Sequence, residues 1–229
     1  METDFIYWRH HTPVGIKVEE ISGGENRSGK LWKEMALQVY AENGKNDFRE
    51  IGHFPNGAPF LLNSFERISI SHSKNKLVIA TIPEVTDANL NAFSQVTALG
   101  VDVEDSGRAQ VLKLRERFLS PGELEMIPAD DILANITAWT AKEALYKAGM
   151  NISPDFREAI EILKLPVPAR EEMWIRHISS SEKPDISEAF GVAEITLPDG
   201  EKVRMNLFSY FSDQDVVTLA FTDQTIRFR

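Results

Sequence analysis

The chain has 229 residues, of which 42% are hydrophobic and 26% charged, a balance typical of a globular protein with a buried core. It has no apolar run long enough to span a bilayer, no secretory signal pattern and no cysteine, so we expect a cytoplasmic protein without disulfides, thiolate metal sites or cysteine nucleophiles. The net charge of −10 argues against nucleic acid as the main partner.

The first sixty residues predict strands around one helix. Aromatic residues in weak alternation predict an edge strand within 1–18, and a glycine-rich stretch predicts a loop at 21–30. Apolar residues at helical spacing predict a helix at 31–40. A short strand is predicted at 50–54, and the Asn-Gly pair between two prolines predicts a tight turn at 55–59.

A β-hairpin is predicted next. Two apolar β-type runs at 65–71 and 77–82 flank a polar turn at 73–76. A loop or short helix at 83–91 should lead into a buried strand at 96–104.

Helical patterns dominate the middle of the chain. Residues 107–119 predict a helix with one apolar face, and Ser120–Glu123 has the serine, proline and glutamate of a helix start. Residues 132–148 form the longest helical pattern in the chain, and Gly149 should end it.

The remainder of the chain is β-rich, with a hairpin turn at Pro198-Asp199-Gly200. Its predicted strands are 159–165, 173–178, 190–197, 203–211 and 216–221. The hairpins at 69–80 and 208–220 share one layout. We therefore predict an α+β fold of two similar lobes, residues 1–99 and 100–229, in pseudo-twofold relation, each a small, mainly antiparallel sheet packed with helices.

Asp102 and Glu104 are the first candidate site residues. Side chains two apart on a strand share a face, so the two carboxylates should project together. A divalent cation would relieve their repulsion, and Mg²⁺ typically uses one or two carboxylates plus phosphate oxygens. The alternative is an edge strand whose acids face water, and the spacing by itself favours that alternative.

A second cluster lies on the long predicted helix. Trp139, Glu143 and Lys147 share a face, and Lys142 lies about one position round. A surface Glu–Lys pair is the common alternative, although an aromatic residue on the same stripe argues against full exposure. A carboxylate beside a lysine also suits a metal-bound diphosphate, because one holds the ion and the other neutralises phosphate oxygens.

Two further features bear on phosphate binding. His72 lies between two serines at a strand end, where it is either a structural residue or a phosphate donor. Basic side chains are concentrated on one predicted helix: Arg108, Lys113, Arg115 and Arg117. Gly-rich phosphate loops, His-Glu-x-x-His and Gly-x-Ser-x-Gly are absent from the sequence, so phosphate handling would rest on side chains and a metal.

Three segments together resemble, in order and spacing, the signatures of the 4′-phosphopantetheinyl transferases. They are Ser69–Ser73, Gly100–Glu104 and Trp139–Lys147. Residues 115–120 with Glu123 resemble the family segment between the second and third signatures. The chain length and two-lobed pattern resemble the monomeric, pseudo-twofold branch that includes the surfactin-synthetase activator. The resemblance is dense from Ser69 to Lys147 and faint elsewhere.

The resemblance implies transfer of the phosphopantetheine arm of coenzyme A to a serine of an apo acyl or peptidyl carrier protein. Adenosine 3′,5′-bisphosphate would leave, and Mg²⁺, or Mn²⁺ in its place, would be required. The implied metal ligands are Asp102, Glu104 and Glu143. The proton acceptor would be Glu143 or a metal-bound water, and the catalytic residues would be Asp102, Glu143 and Lys147.

The resemblance also implies contacts with the two substrates. Lys147 would contact the diphosphate, Ser71 and His72 would bind a coenzyme A phosphate, and Lys142 would support the phosphate side. Carrier proteins are usually acidic, so the basic helix from Arg108 to Arg117 is the expected docking surface.

The sequence departs from the family pattern near residue 58. The family usually has Gly-Lys-Pro where this chain has Gly57-Ala58-Pro59. The family also usually supplies arginines ahead of that turn, whereas here Arg27 and Arg49 have no convincing register with them. These departures support an alternative, a non-catalytic relative that binds coenzyme A or a carrier domain. A further alternative is a plain α+β domain whose acids face solvent. In that case the three ordered motifs would be a coincidence.

Overall fold

The computed structural model describes residues 5–13, 15–23, 29–43, 51–62, 66–74, 76–82, 98–149, 155–179, 181 and 183–222. The strands are β1 Phe5–His11, β2 Lys17–Gly23, β3 Ile51–His53, β4 Pro59–Leu61, β5 Arg67–His72, β6 Lys76–Ile82, β7 Ala98–Asp105, β8 Ile160–Lys164, β9 Phe190–Thr196, β10 Lys202–Ser212 and β11 Asp215–Thr222. The helices are α1 Gly29–Asn43, α2 Val111–Phe118, α3 Pro121–Met126, α4 Ile132–Ala148, α5 Phe156–Ala159 and α6 Glu171–Ser179, with a 3₁₀ turn at Ser187–Ala189.

These strands form two main antiparallel sheets and a small hairpin. The first sheet has the order β1-β2-β6-β5, the second has the order β7-β11-β10-β9-β8, and β3 pairs with β4. The predicted mixed fold of antiparallel sheets and packed helices is confirmed. The division into lobes at residues 1–99 and 100–229, and their pseudo-twofold relation, stay predictions.

Several local signals in the sequence give the predicted structure. The β5–β6 hairpin closes where Ser73 N donates to Lys76 O at 2.9 Å. Gly57 and Gly200 occupy turns at φ +85°, a conformation that favours glycine. In α3, Ser120 and Glu123 form the predicted capping box. The bounds of α4 match the predicted helix, with Asp131 as its N-cap and Gly149 after its last turn.

Other predicted elements differ from the structure. Residues 173–178 form part of α6 and not a strand, because a short apolar run is ambiguous and Glu171 and Glu172 favour a helix N-terminus. The stretch within 1–18 contains the edge strand β1 and also the start of β2, which continues to Gly23 through part of the predicted loop. The predicted loop at 83–91 lies outside the described residues.

Helix α4 packs closely on the second sheet. A Cβ placed on Gly100 of β7 would lie 1.8 Å from the carbonyl oxygen of Ala144, so only glycine allows this approach. Buried hydroxyls of Thr140 and Thr218 lie 2.7 Å apart and join α4 to β11. Even-numbered residues of β7 therefore face α4, whereas Val101 and Val103 belong to the apolar core between the sheets.

The two main sheets also contact each other directly. Val101 N of β7 donates to Ser69 Oγ of β5 at 3.0 Å, and Val78 of β6 joins Val101 in the same apolar cluster. In the first sheet, α1 covers the opposite face through Ala36 and Tyr40. No helix in the described part of the chain is both long and apolar enough to cross a membrane.

Candidate functional site

Asp102 lies at the point where β5, β7 and α4 meet. Its side chain is buried, with 6% of its surface exposed, although β7 is the edge strand of its sheet. Lys147 Nζ donates to Asp102 Oδ1 at 2.8 Å and to Val101 O at 3.0 Å, and Ser71 Oγ donates to Asp102 Oδ1 at 2.7 Å. The structure therefore brings together one residue from each of the three signature segments.

Glu143 lies on the same face of α4 as Lys147, one turn earlier. Burial raises the pKa of its carboxyl, the charges of Asp102 and Glu104 raise it further, and Lys147 lowers it. Lys147 pairs with Asp102, so it does not form the surface ion pair with Glu143 that was the alternative interpretation of the sequence. Within the described residues, the Glu143 carboxylate receives no hydrogen bond. It is a partly buried carboxylate in repulsive surroundings.

Glu104 is near these groups but is already engaged. Arg108 Nη1 makes a short contact with its Oε2, and Asp105 N donates to its Oε1 at 3.1 Å. The side chain is only partly buried, so its pair with Arg108 is open to solvent on the arginine side. An ion bound by Glu104 would compete with Arg108 for the same carboxylate.

The acidic side chains are suitable ligands for a divalent cation, although their present arrangement does not surround one. No group of three or more His, Asp or Glu side chains in the described ranges is already placed to hold a metal. Asp102 Oδ2 and the Glu143 carboxylate nevertheless accept no hydrogen bond from any described residue, and their charges repel. Hard oxygen donors of this kind suit Mg²⁺, so the donor set fits the ion that the resemblance implies.

His72 ends β5 next to Ser71, with its ring partly exposed. Burial lowers its pKa most, Lys33 of α1 and Lys147 lower it further, and Asp102 and the Ser73 backbone oppose this shift. His72 is therefore neutral in neutral solution, in a region of positive potential. Sequence reasoning missed Lys33, because a lysine on a predicted helix carries no signal that separates it from solvent-facing lysines.

A cavity of about 410 Å³ opens beside this cluster. Glu143 and Lys147 of α4 line it, together with Phe54, Ala58 and Phe60 of the β3–β4 hairpin. The ring centroids of Phe54 and Phe60 lie 4.7 Å apart. Arg67 and Ser69 of β5 also line the cavity. A ligand in this cavity can therefore reach the Glu143 carboxylate.

Glu143 also lines an open groove of about 820 Å³. Trp139 lines this groove and packs edge-to-face on Phe118, with ring centroids 5.1 Å apart. Phe156 adds a further apolar border, and the other charged residues of the groove are Arg117, Arg157, Glu116 and Asp155. Because Glu143 lines both the cavity and the groove, two different molecules can reach this carboxylate.

Lys142 is not part of the cluster. Its side chain is fully buried, and its Nζ lies 2.7 Å from Glu123 Oε2 and donates to the carbonyl oxygens of Phe156 and Ile160. Burial lowers the pKa of this ammonium, while Glu123 raises it. In the structure it therefore ties α4 to α3 and β8, and not to the cavity where the resemblance suggested it.

The predicted basic surface is smaller than the sequence suggested. Arg115 is partly buried and donates to Asn135 and to the carbonyl oxygen of Ile127, so it holds α2 against neighbouring elements. Arg108 pairs with Glu104. Lys113 and Arg117 are exposed on α2.

Comparison with known proteins adds one positive result. Residues 98–202, a little under half of the chain, match the family model of the 4′-phosphopantetheinyl transferase superfamily. The matched segment contains β7 and α4, and with them Asp102, Glu104, Glu143 and Lys147. A comparison with curated proteins finds no match. The family match implies a transferase, with phosphopantetheinyl transfer as its general activity.

Proposed function

We propose that this chain, which carries a domain of that superfamily at residues 98–202, transfers the 4′-phosphopantetheine arm of coenzyme A to a serine of an apo acyl or peptidyl carrier protein. Adenosine 3′,5′-bisphosphate is the second product. The observation that carries the proposal is the convergence of Asp102, Glu143 and Lys147, of which Glu143 and Lys147 line a cavity of about 410 Å³.

The reaction has three parts. The serine oxygen forms a bond to the β-phosphorus of coenzyme A, the bond from that phosphorus to the bridging oxygen breaks, and the serine loses its proton. This proton passes to Glu143 or to a water held by these acids, since no described residue donates a hydrogen bond to the Glu143 carboxylate. Lys147, held by Asp102 at 2.8 Å, neutralises phosphate oxygens.

The same acids hold the metal in this proposal. When bound, Mg²⁺ would be held by Asp102 and Glu143, with Glu104 joining after it leaves Arg108, and would neutralise charge on the diphosphate. Ser71 keeps the Asp102 carboxylate in place through its 2.7 Å hydrogen bond. His72, with Lys33 nearby, binds a phosphate of coenzyme A.

The carrier protein approaches from the groove that Glu143 also lines. Lys113 and Arg117 are exposed on α2, and Arg117 borders the groove. They can attract an acidic carrier, while Trp139 and Phe156 offer apolar contact next to the reacting serine. Arg108 is available once Glu104 exchanges it for the ion, whereas Arg115 is already engaged inside the protein.

The transfer assay tests this proposal directly. The protein is incubated with coenzyme A, MgCl₂ and a panel of apo carrier proteins, and the mass of each carrier is measured. We expect the mass of a phosphopantetheine arm to appear on at least one carrier and to disappear when EDTA replaces MgCl₂.

Matched variants separate the site from the rest of the protein. Glu143→Gln and Asp102→Asn should each lower the transfer rate about 10²- to 10³-fold. Glu125→Gln changes an exposed acid on α3 and should leave the rate unchanged. Coenzyme A binding without transfer to any carrier would support the non-catalytic alternative, which the retained acids and Lys147 do not favour.

A further inference from the structure

Arg67 is a cavity residue that the sequence pattern did not single out. It begins β5 and shares a strand face with Ser69 and Ser71, because alternate residues point the same way. Ser69 and Ser71 contact Val101 and Asp102. Ile68, which follows Arg67, belongs instead to the apolar core under α1. Arg67 therefore faces the cavity.

No described residue neutralises the guanidinium of Arg67, which has neither a hydrogen bond nor an ion pair with a described carboxylate. The residue is exposed, and the partial burial of its guanidinium lowers its pKa. The other cation on the cavity wall, Lys147, is already paired with Asp102. A partly desolvated arginine without a partner gains most from an anionic ligand.

The surroundings of Arg67 favour a nucleotide over a simple anion. Phe54 and Phe60 line the same cavity and offer aromatic surface on which a base can pack. Arg67 and Lys147 also both line it, so one ligand with several phosphates can contact both cations.

We infer that Arg67 binds a phosphate at the nucleotide end of coenzyme A, in the cavity that Ala58 also lines. The inference rests on the proposed function and adds to it a binding residue. It also explains how the cavity can hold a phosphorylated ligand although position 58 carries an alanine. The phosphate is either the 3′-phosphate of the ribose or part of the diphosphate, and the experiment below separates the two.

Binding measurements without a carrier protein test Arg67 independently of transfer. Calorimetry would compare wild-type protein, Arg67→Gln and Arg67→Lys with adenosine 3′,5′-bisphosphate, coenzyme A and 3′-dephospho-coenzyme A. Arg67→Gln should weaken binding of coenzyme A and of the bisphosphate about 10- to 100-fold, as expected for one charged hydrogen-bonded contact. Arg67→Lys keeps the charge and should lose less.

Three controls make the result specific. Arg170→Gln removes the same charge from an exposed site that does not line the cavity, and should bind as wild type does. Thermal unfolding checks that each variant is folded. Ala58→Lys, added to Arg67→Gln, places a cation at another position that lines the same cavity and should restore part of the affinity.

The outcomes separate this inference from the proposed function. A loss seen with coenzyme A but not with 3′-dephospho-coenzyme A assigns Arg67 to the 3′-phosphate, and a loss seen with both assigns it to the diphosphate. Wild-type affinity of Arg67→Gln for all three ligands would overturn the role of Arg67 alone. If the wild-type protein binds none of the ligands, both the proposed function and this inference fail.

Discussion

Glu143 shows how a functional carboxylate costs stability. Its folded-state pKa lies above the unfolded value because burial and the charges of Asp102 and Glu104 oppose ionisation, with Lys147 opposing them in part. Below about pH 4 the group is protonated in both states. As the pH rises through the interval between the two pKa values, the unfolded chain ionises first, and the folded protein loses stability.

Glu143→Gln should therefore stabilise the metal-free protein at neutral pH. A gain of about 1 kcal/mol would raise Tm by roughly 2–4 °C for a chain of this size. The measurement is thermal unfolding in EDTA at pH 7.5 and at the lowest pH where the fold survives, where the gain should shrink. Glu125→Gln serves as the exposed control, and a lower Tm for Glu143→Gln at pH 7.5 would contradict the expectation.

His72 gives a pH dependence of the same sign for ligand binding. Burial, Lys33 and Lys147 keep its pKa below 6.5 in the free protein. A bound phosphate stabilises the imidazolium, so adenosine 3′,5′-bisphosphate should raise this pKa, and affinity should increase as the pH falls towards 6. NMR titration of the His72 ring with and without ligand measures both values. An identical pKa in the two states would remove His72 from the binding site.

At the scale of elements, the site depends on the close packing of β7 on α4. Asp102 comes from the strand and Glu143 and Lys147 from the helix, so their distances are set by how near the two backbones lie. Gly100 sets that separation, because a Cβ would overlap backbone atoms of Ala144 and Ala148. Flexible side chains cannot relieve such an overlap.

Gly100→Ala should destabilise the protein by about 3 kcal/mol or more, the upper range for overpacking, because helix and strand must separate. Urea unfolding measures the change. Gly122→Ala is the matched control, since its Cβ would meet nothing within 4 Å. A Gly100→Ala variant as stable as wild type would mean that α4 can shift on the sheet without cost.

A buried ion pair fixes α4 at its other face. Lys142 and Glu123 are both buried, and Glu123 also accepts hydrogen bonds from Ser120 N and Ile162 N. Lys142→Met should cost about 3–5 kcal/mol, because it leaves the Glu123 charge buried without its cation. Urea unfolding of this variant beside Lys113→Met, an exposed lysine on α2, measures the difference. Equal midpoints for the two variants would contradict the expectation.

At the scale of the whole molecule, a polar network joins the two main sheets. Lys76 of β6 donates to Ser212 O at 3.0 Å and to Asp213 Oδ2 at 2.8 Å, and lies 3.6 Å from Glu20. Tyr210 OH donates to Glu20 Oε1 at 3.0 Å. Glu20 and Lys76 belong to the first sheet and the other three residues to the second sheet and its turn, so the network connects both.

Lys76→Met should remove this connection and leave Glu20 buried without its cation. We expect a loss of about 3–5 kcal/mol in the free energy of unfolding. Urea unfolding followed by both fluorescence and circular dichroism measures it. Lys74→Met changes an exposed lysine on the same hairpin and should behave as wild type. If Lys76→Met unfolds at the wild-type midpoint, the network does not hold the sheets together.

Much of the local structure could be predicted because its causes are local. The capping box of Ser120 and Glu123, the turn at Gly200 and the bounds of α4 follow from residues within a few positions of each other. The same reasoning failed at 173–178, where a short apolar run fits both a strand and a helix.

The sequence by itself determined which residues share a face and in what order the signature segments occur. Only the tertiary structure decided their partners. Lys147 pairs with Asp102 and not with Glu143, Lys142 pairs with Glu123, and Arg67 in the cavity has no partner among the described residues. Strand and helix periods act over a few residues. Contacts between distant residues depend instead on how closely sheets and helices pack, which no short pattern records.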